Sequence, residues 1–353
     1  MNRSKELKIG IIGTGGMAHW HAKSFLNIDN VKLVAFCDID EEKVKKFSEK
    51  FGPGRWYTDY KKMLEKESLD GVSVVTSDRF HESVSVEALN RKIPVLCEKP
   101  MSYDLASAKR MFLAAKKAKV PAMINFSKRD APALQEAKKR ILNGEIGRII
   151  HVDASYLQSW LANTVWGDWK SSEGWLWRLS TKHGSLGCLG DIGCHIYDMA
   201  VFLCEDAVSV NCKLKTFPKI KGDKIGKYKL DANDSFVSII EFKTKAIGTV
   251  HATRWASGHA NREYIAVYGD KGSLEIDYEK GGHILNIFSN KTMKWQQIEC
   301  KKTLSNIERF IRWIRTGRPE KPDFEDGLKI QQLLHASFLS DKTNKEIKIS
   351  SII

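Results

Sequence analysis

The chain has 353 residues, 42% of them hydrophobic, and a net charge of +14 from 57 basic and 43 acidic residues. That length implies about two domains with a sizeable core, and no segment approaches the ~18 apolar residues of a membrane span. The basic excess is spread along helices such as Glu41 to Lys50 and Lys109 to Lys119; without basic–aromatic alternation it reads as a solvated surface and not as a nucleic-acid site.

Leu7 to Ile12 reads as a strand, Gly16 to Asn27 as a helix, Val31 to Cys37 as a strand and Asp40 to Phe51 as a helix. Asp59 to Glu65 is a short helix, followed by the strand Val72 to Val75, the helix Glu82 to Asn90 and the strand Val95 to Cys97. A helix over Asp104 to Ala118, capped by Ser102 or Asp104, and a strand over Ala122 to Asn125 close the series. Such alternation predicts a parallel α/β sheet. After Gly147 strand-like segments follow one another: Ile149 to Leu157, Val208 to Leu214, Asp234 to Phe242, Ile247 to Arg254, Glu263 to Tyr268, Gly272 to Asp277 and Ile284 to Phe288. Helices are expected over Thr303 to Thr316, stopped by Gly317-Arg318-Pro319, and over Phe324 to Ser340. The expected organisation is a parallel-sheet α/β domain over 1–126. An α+β domain with a large, mostly antiparallel open sheet follows over 127–353, its last helices packing back on the first domain. An open sheet of that size predicts a homodimer or homotetramer. Seven scattered cysteines and no leader-like segment at Met1 to Glu6 predict reduced thiols in a cytoplasm, with neither membrane nor metal as partner.

Gly13-Thr14-Gly15-Gly16-Met17-Ala18 fits the dinucleotide fingerprint, and it follows a strand and opens a helix, the context that gives the pattern weight; the domain over 1–126 is therefore expected to be a dinucleotide-binding Rossmann domain. Asp38 ends the second strand, where a carboxylate accepts from the adenosine ribose and repels a 2′-phosphate; NAD is therefore favoured over NADP. Asp40 suits the cap of the next helix, which leaves Asp38 for the ribose. Glu98-Lys99-Pro100 ends the apolar run Pro94-Val95-Leu96-Cys97. Ligands of α/β sheets sit beyond the carboxyl ends of strands, so Lys99 stands where cofactor and substrate would meet; the bland alternative is a surface loop lysine.

Asp191 and His195, in Gly190-Asp191-Ile192-Gly193-Cys194-His195, are four apart and share a face if helical. They read either as a proton-handling pair or as a capping aspartate and a satisfied core histidine. The nearby Cys188 and Cys194 match no zinc spacing. Upstream, Tyr156, Gln158, Trp160, Trp166, Trp169, Trp175, Trp177 and Arg178 read as a core or as an aromatic wall for a sugar, whose apolar faces pack on flat rings. Arg254-Trp255 belongs to that cleft or to the sheet surface.

In this order, the glycine loop, Glu98-Lys99-Pro100 and Asp191-Ile192-Gly193-Cys194-His195 make the chain resemble the Gfo/Idh/MocA oxidoreductase family over essentially its whole length. The resemblance implies catalysis by Lys99, Asp191 and His195. It implies a cofactor site of Gly13, Thr14, Gly15, Gly16, Met17, Asp38, Thr76, Ser77, His81, Glu98, Lys99 and Asn125, with Glu98 at the nicotinamide end. Ser77 stands where the family usually has proline, and Gly184-Ser185-Leu186-Gly187 lacks the usual doubled glycine. Tyr156, Gln158, Trp160, Trp177 and Arg178 would join Lys99, Asp191 and His195 at the substrate. The implied reaction is hydride transfer between NAD and a secondary hydroxyl of a sugar, glycoside or cyclic polyol, first a pyranoside ring carbon and second inositol. An NAD-dependent glycoside hydrolase acting by transient oxidation and elimination, and a non-catalytic nucleotide-dependent sensor, are the alternatives.

Overall fold

The computed structural model describes residues 6–352; the segment Met1 to Lys5, where no leader is expected, lies outside the described residues. In chain order, the first part comprises β1 (Leu7–Ile12), α1 (Gly16–Leu26), β2 (Val31–Cys37), α2 (Glu41–Phe51), β3 (Arg55–Tyr57), α3 (Tyr60–Lys66), β4 (Gly71–Val74), α4 (Asp78–Asn90), β5 (Val95–Cys97), α5 (Leu105–Ala118) and β6 (Ala122–Ile124). The middle part comprises α6 (Pro132–Leu142), β7 (Ile149–Gln158), the single turn α7 (Glu173–Leu176), α8 (Cys194–Cys204), β8 (Ala207–Lys215), β9 (Lys224–Ile225), β10 (Tyr228–Lys229), β11 (Ser235–Phe242), β12 (Ile247–Thr253), β13 (Asn261–Gly269), β14 (Gly272–Asp277), β15 (Ile284–Ser289) and β16 (Lys294–Glu299). The chain ends with α9 (Asn306–Thr316), α10 (Phe324–Thr343) and β17 (Ile347–Lys348).

Two compact units result: one runs through Phe126 and takes in Leu304–Leu328, the other comprises Ser127–Thr303 and the segment from Lys329 onward. The return of 304–328 to the first unit divides the segment that the sequence reading grouped as 127–353.

The first unit holds a parallel sheet in the order β3-β2-β1-β4-β5-β6, the doubly wound order that places ligands beyond the strands' carboxyl ends. Its inner strands are largely apolar because both faces are covered; β4 and β5 are buried throughout, whereas the edge strand β3 is mostly exposed. Carboxylates set the helix starts: Asp40 accepts from the Lys43 amide and Asp104 from the Ser107 amide. Ala18, Ala22 and Phe25 of α1 share one core with Ile307, Phe310 and Ile311 of α9. A reciprocal Ser305–Glu308 capping box starts α9 and Gly317, at φ 68°, ends it.

The second unit is built on a sheet of nine strands among the described residues, ordered β16-β15-β14-β13-β7-β12-β11-β8-β17. Only β12 and β7 pair parallel; the other neighbours are antiparallel. β11 alternates buried and exposed residues, as a strand with one covered face does. Among the described residues no helix is long and apolar enough to cross a membrane.

Candidate active site

In the first unit, sequence-predicted residues gather beyond the carboxyl ends of the strands. Gly13 leaves β1 at φ 91°, and a Cβ there would lie 2.5 Å from the Val75 carbonyl oxygen, so only glycine fits this turn. Beyond it, Gly15, Gly16 and Met17 are exposed, and α1 starts at Gly15 without a side-chain cap. Its first amides are therefore open to an anion. Asp38 Oδ2 accepts from the Thr14 amide (2.7 Å) and hydroxyl (2.9 Å), and Oδ1 accepts from the Asp40 amide (3.1 Å). The carboxylate that reads as a ribose ligand thus also clasps the glycine loop, and its two oxygens keep lone pairs for further donors.

After β4, the Thr76 hydroxyl is buried with no hydrogen-bond partner, an orphan beside the glycine loop that a ligand group would satisfy. Ser77 precedes α4, exposed and making no side-chain cap. His81 is fully buried, with both ring nitrogens 3.0 Å from backbone carbonyls, those of Thr76 and Pro100. The cofactor contact expected of it is corrected: it stands behind the wall and leaves no ring nitrogen for a ligand.

Glu98 is buried at the end of β5. Its Oε1 accepts from Asn125 Nδ2 (2.6 Å) and is bonded to His21 Nε2 (2.8 Å), while Oε2 accepts from the Lys99 amide (3.2 Å). Burial alone would raise this carboxyl, but His21, with Lys99 and Asn125, holds it down at about 2. The network continues from His21 Nδ1 to Ser73 Oγ (2.8 Å) and from Asn125 Oδ1 to Asn306 Nδ2 (3.3 Å). Glu98 and Asn125, both expected at the cofactor, therefore act together as the fixed base under Lys99, which is itself half-buried. His21 escaped sequence reading; its signal is its place in the buried stripe Ala18, His21, Ala22, Phe25.

In the second unit, Asp191 lies in a π-helical turn, Leu189–Gly193, that feeds α8, and His195 is in the first turn of that helix. Such wide turns recur at functional sites, and the expected regular α-helical spacing of this pair is corrected accordingly. Asp191 Oδ2 accepts from Arg254 Nη2 (2.9 Å) and lies 3.7 Å from Arg178 Nε. Arg254 is fully buried while the Asp191 side chain keeps 26% exposure. The same guanidinium donates to the Arg178 carbonyl (3.3 Å) and lies 5.1 Å over Trp160. Arg254 thus belongs to the site and not to the sheet surface; a partner 63 residues away leaves no local signal.

Trp160 is 1% exposed and joins Trp169, Leu176 and Leu179 in a core, so its expected place on a sugar-facing wall is corrected. It supports the wall: its Nε1 donates to Gln158 Oε1 (3.0 Å). Gln158 and Tyr156 are likewise buried, both donating to Asn261 Oδ1 (2.8 and 3.0 Å). The Tyr156 and His195 rings are 6.2 Å apart. Trp175 and Trp177 are half-buried, with Arg178 over their rings at 5.4 and 4.7 Å. Arg178, Trp177 and Asp191 therefore keep the accessible surface expected of substrate contacts. Among the described residues no group of three or more metal-ligating side chains is placed to hold an ion, and all seven cysteines are free.

Residues 7–126 match the family profile described as an oxidoreductase family with an NAD-binding Rossmann fold, and residues 134–275 match the GFO/IDH/MocA C-terminal domain. The chain belongs to the Gfo/Idh/MocA family. It is an NAD-dependent dehydrogenase, and the open glycine loop with its Thr76 orphan fits that dinucleotide. Over 310 residues it is 26% identical to the levoglucosan dehydrogenase of Pseudarthrobacter phenanthrenivorans, covering 81% of this chain and 77% of the relative. Over 368 residues it is 27% identical to the glucose-6-phosphate 3-dehydrogenase of Bacillus subtilis, covering 98% and 99%. A solved levoglucosan dehydrogenase, in complex with NADH and levoglucosan, shares the fold with a TM-score of 0.87 at 24% identity, covering 97% of this chain and 99% of that one.

Proposed function

We propose that the chain oxidises a secondary hydroxyl of a carbohydrate or cyclic polyol, first a ring carbon of a pyranoside and second inositol. The observation that carries this reading is Lys99, fixed beyond the sheet by a buried ionised carboxylate whose own amide and imidazole partners are buried with it. Lys99 hydrogen-bonds the reacting oxygen and stabilises its developing charge. His195 accepts the hydroxyl proton. Asp191, held by Arg254, orients His195. NAD bound at the glycine loop supplies the hydride acceptor. The half-exposed Arg178–Trp177 pair offers a flat, hydrogen-bonding face of the sort that suits a pyranose. The named relatives, which act on levoglucosan and on glucose 6-phosphate, support a carbohydrate substrate.

A homodimer or homotetramer is part of the same proposal; Val237, Ile239 and Ile247 lie exposed on one face of β11 and β12, and light scattering of the purified chain reads the mass. The central test is Lys99→Met with a panel of pyranosides, glycosides and inositols followed by NADH absorbance. Turnover should fall roughly 10³-fold while calorimetry shows NAD binding within about twofold. Unchanged turnover removes Lys99 from the chemistry, and sugar release without net NADH points to the elimination route instead.

A further inference from the structure

The tripeptide that carries Lys99 is gripped on each side of the lysine by a buried imidazole. His21 holds the Glu98 carboxylate; His81, on the first turn of α4, holds the Pro100 carbonyl. The two grips differ in what they demand of the ring. Carbonyl oxygens only accept, and a neutral imidazole carries one N–H and one lone pair. His81 Nδ1 lies 3.0 Å from the Pro100 oxygen and Nε2 lies 3.0 Å from the Thr76 oxygen. Either neutral tautomer would therefore press a ring lone pair against a carbonyl lone pair. Only the doubly protonated ring satisfies both.

The groups facing the ring agree. Asp78 faces it from its own helix and Cys97 from the end of β5; burial works against the cation, but Cys97, Asp78 and the Pro100 carbonyl outweigh it and raise His81 to about 10. Charge-assisted bonds of this kind are about twice as strong as neutral ones, which suits a joint between two strand ends.

We propose that His81 is a permanently protonated buried imidazolium and a positioning residue for Lys99, tying the Thr76 turn after β4 to the Pro100 carbonyl after β5. The charge state stands on the His81 geometry alone; the positioning role rests on the reading of Lys99 as the catalytic lysine. The ring closes the gap between the element that presents the Thr76 hydroxyl and the element that presents the lysine. Losing it frees Pro100, and with it Lys99, to shift. A displacement of 1 Å at a reacting group costs about 100-fold in rate.

The test uses the full chain with 15N-labelled histidine. Ring correlations are recorded at about pH 8, where an ordinary histidine of pKa about 6.5 is neutral. The His81 signals are assigned by their loss in His81→Gln or, should that variant not fold, by short distances to Pro100 protons. Both ring nitrogens should carry hydrogen at that pH; a neutral ring overturns the proposal. In His81→Gln, kcat should fall about 100-fold while the Kd for NAD stays within about twofold. A loss of NAD affinity with kcat retained would make His81 a cofactor residue and end the positioning role. If Lys99→Met keeps its turnover while the ring is doubly protonated, the Lys99 reading fails and the charged clamp stands.

Discussion

Replacing Glu98 with Gln separates the charge at the base of the site from its shape. In the native site Oε1 takes the His21 and Asn125 bonds and Oε2 takes the Lys99 amide. A glutamine carbonyl can keep the first two, but its amide nitrogen then faces the Lys99 N–H, donor against donor. The native carboxyl is lowered from 4.5 to about 2, with burial opposing and His21 leading the groups that favour the charge. At 1.36 kcal/mol per unit, that difference is worth about 3 kcal/mol. Because the folded value lies below the unfolded one, this stability is fully present above about pH 4.5 and is lost as pH falls through about 2. Urea unfolding of the full chain, followed by tryptophan fluorescence at several pH values, should show Glu98→Gln about 3 kcal/mol less stable at about pH 7. The gap should close progressively between about pH 4.5 and about 2. A gap that stays constant through that acid range would show that the carboxylate acts by shape alone, and no gap at neutral pH would refute the argument entirely.

Two further outcomes follow from the same geometry. Gly13→Ala puts a methyl group 2.5 Å from a backbone oxygen at φ 91°, which costs about 1–3 kcal/mol in backbone strain and forces the loop to move. Calorimetry should show NAD affinity at least about tenfold weaker, and an unaltered affinity would remove the loop from cofactor binding. Arg254→Leu strips the fully buried partner from Asp191 and should destabilise the chain by about 3 kcal/mol in urea melts, the low end for breaking a buried pair because Asp191 is part-exposed. Unchanged stability and kcat would show the pair to be incidental.

The alternating first part of the chain was legible because strands covered on both faces are continuous apolar runs and because Asp40 and Asp104 cap helices with their own side chains. β3 and β16 were not: Arg55 and Trp56 are exposed, and nearly all of Lys294–Glu299 is exposed too, so neither segment carries an apolar signature. The glycine loop and Lys99 were readable as motifs, since their chemistry depends on short-range spacing. Tryptophans were harder. Composition brought Trp160 and Trp177 to notice together, but only packing decides that one lies under the surface and the other on it. Asp191 and Arg254 were each noticed, but that they meet depends on packing, since Arg254 follows β12 and Asp191 lies in the turn before α8. His81 was noticed as a motif residue, yet its role depends on two carbonyls that no side-chain pattern encodes.

The shared core of α1 and α9 has a consequence for how the chain is made. Ile307, Phe310 and Ile311 are buried against Phe25 and its neighbours, and Pro322 supplies a backbone acceptor to Ile124 at the edge strand. Burial of three such side chains contributes about 5–9 kcal/mol, comparable to the whole stability of an ordinary domain. On the ribosome, then, the first unit must wait, incomplete, until α9 emerges after β7 to β16 of the second unit. The nucleotide-binding unit is sealed only after most of the neighbouring sheet has been made.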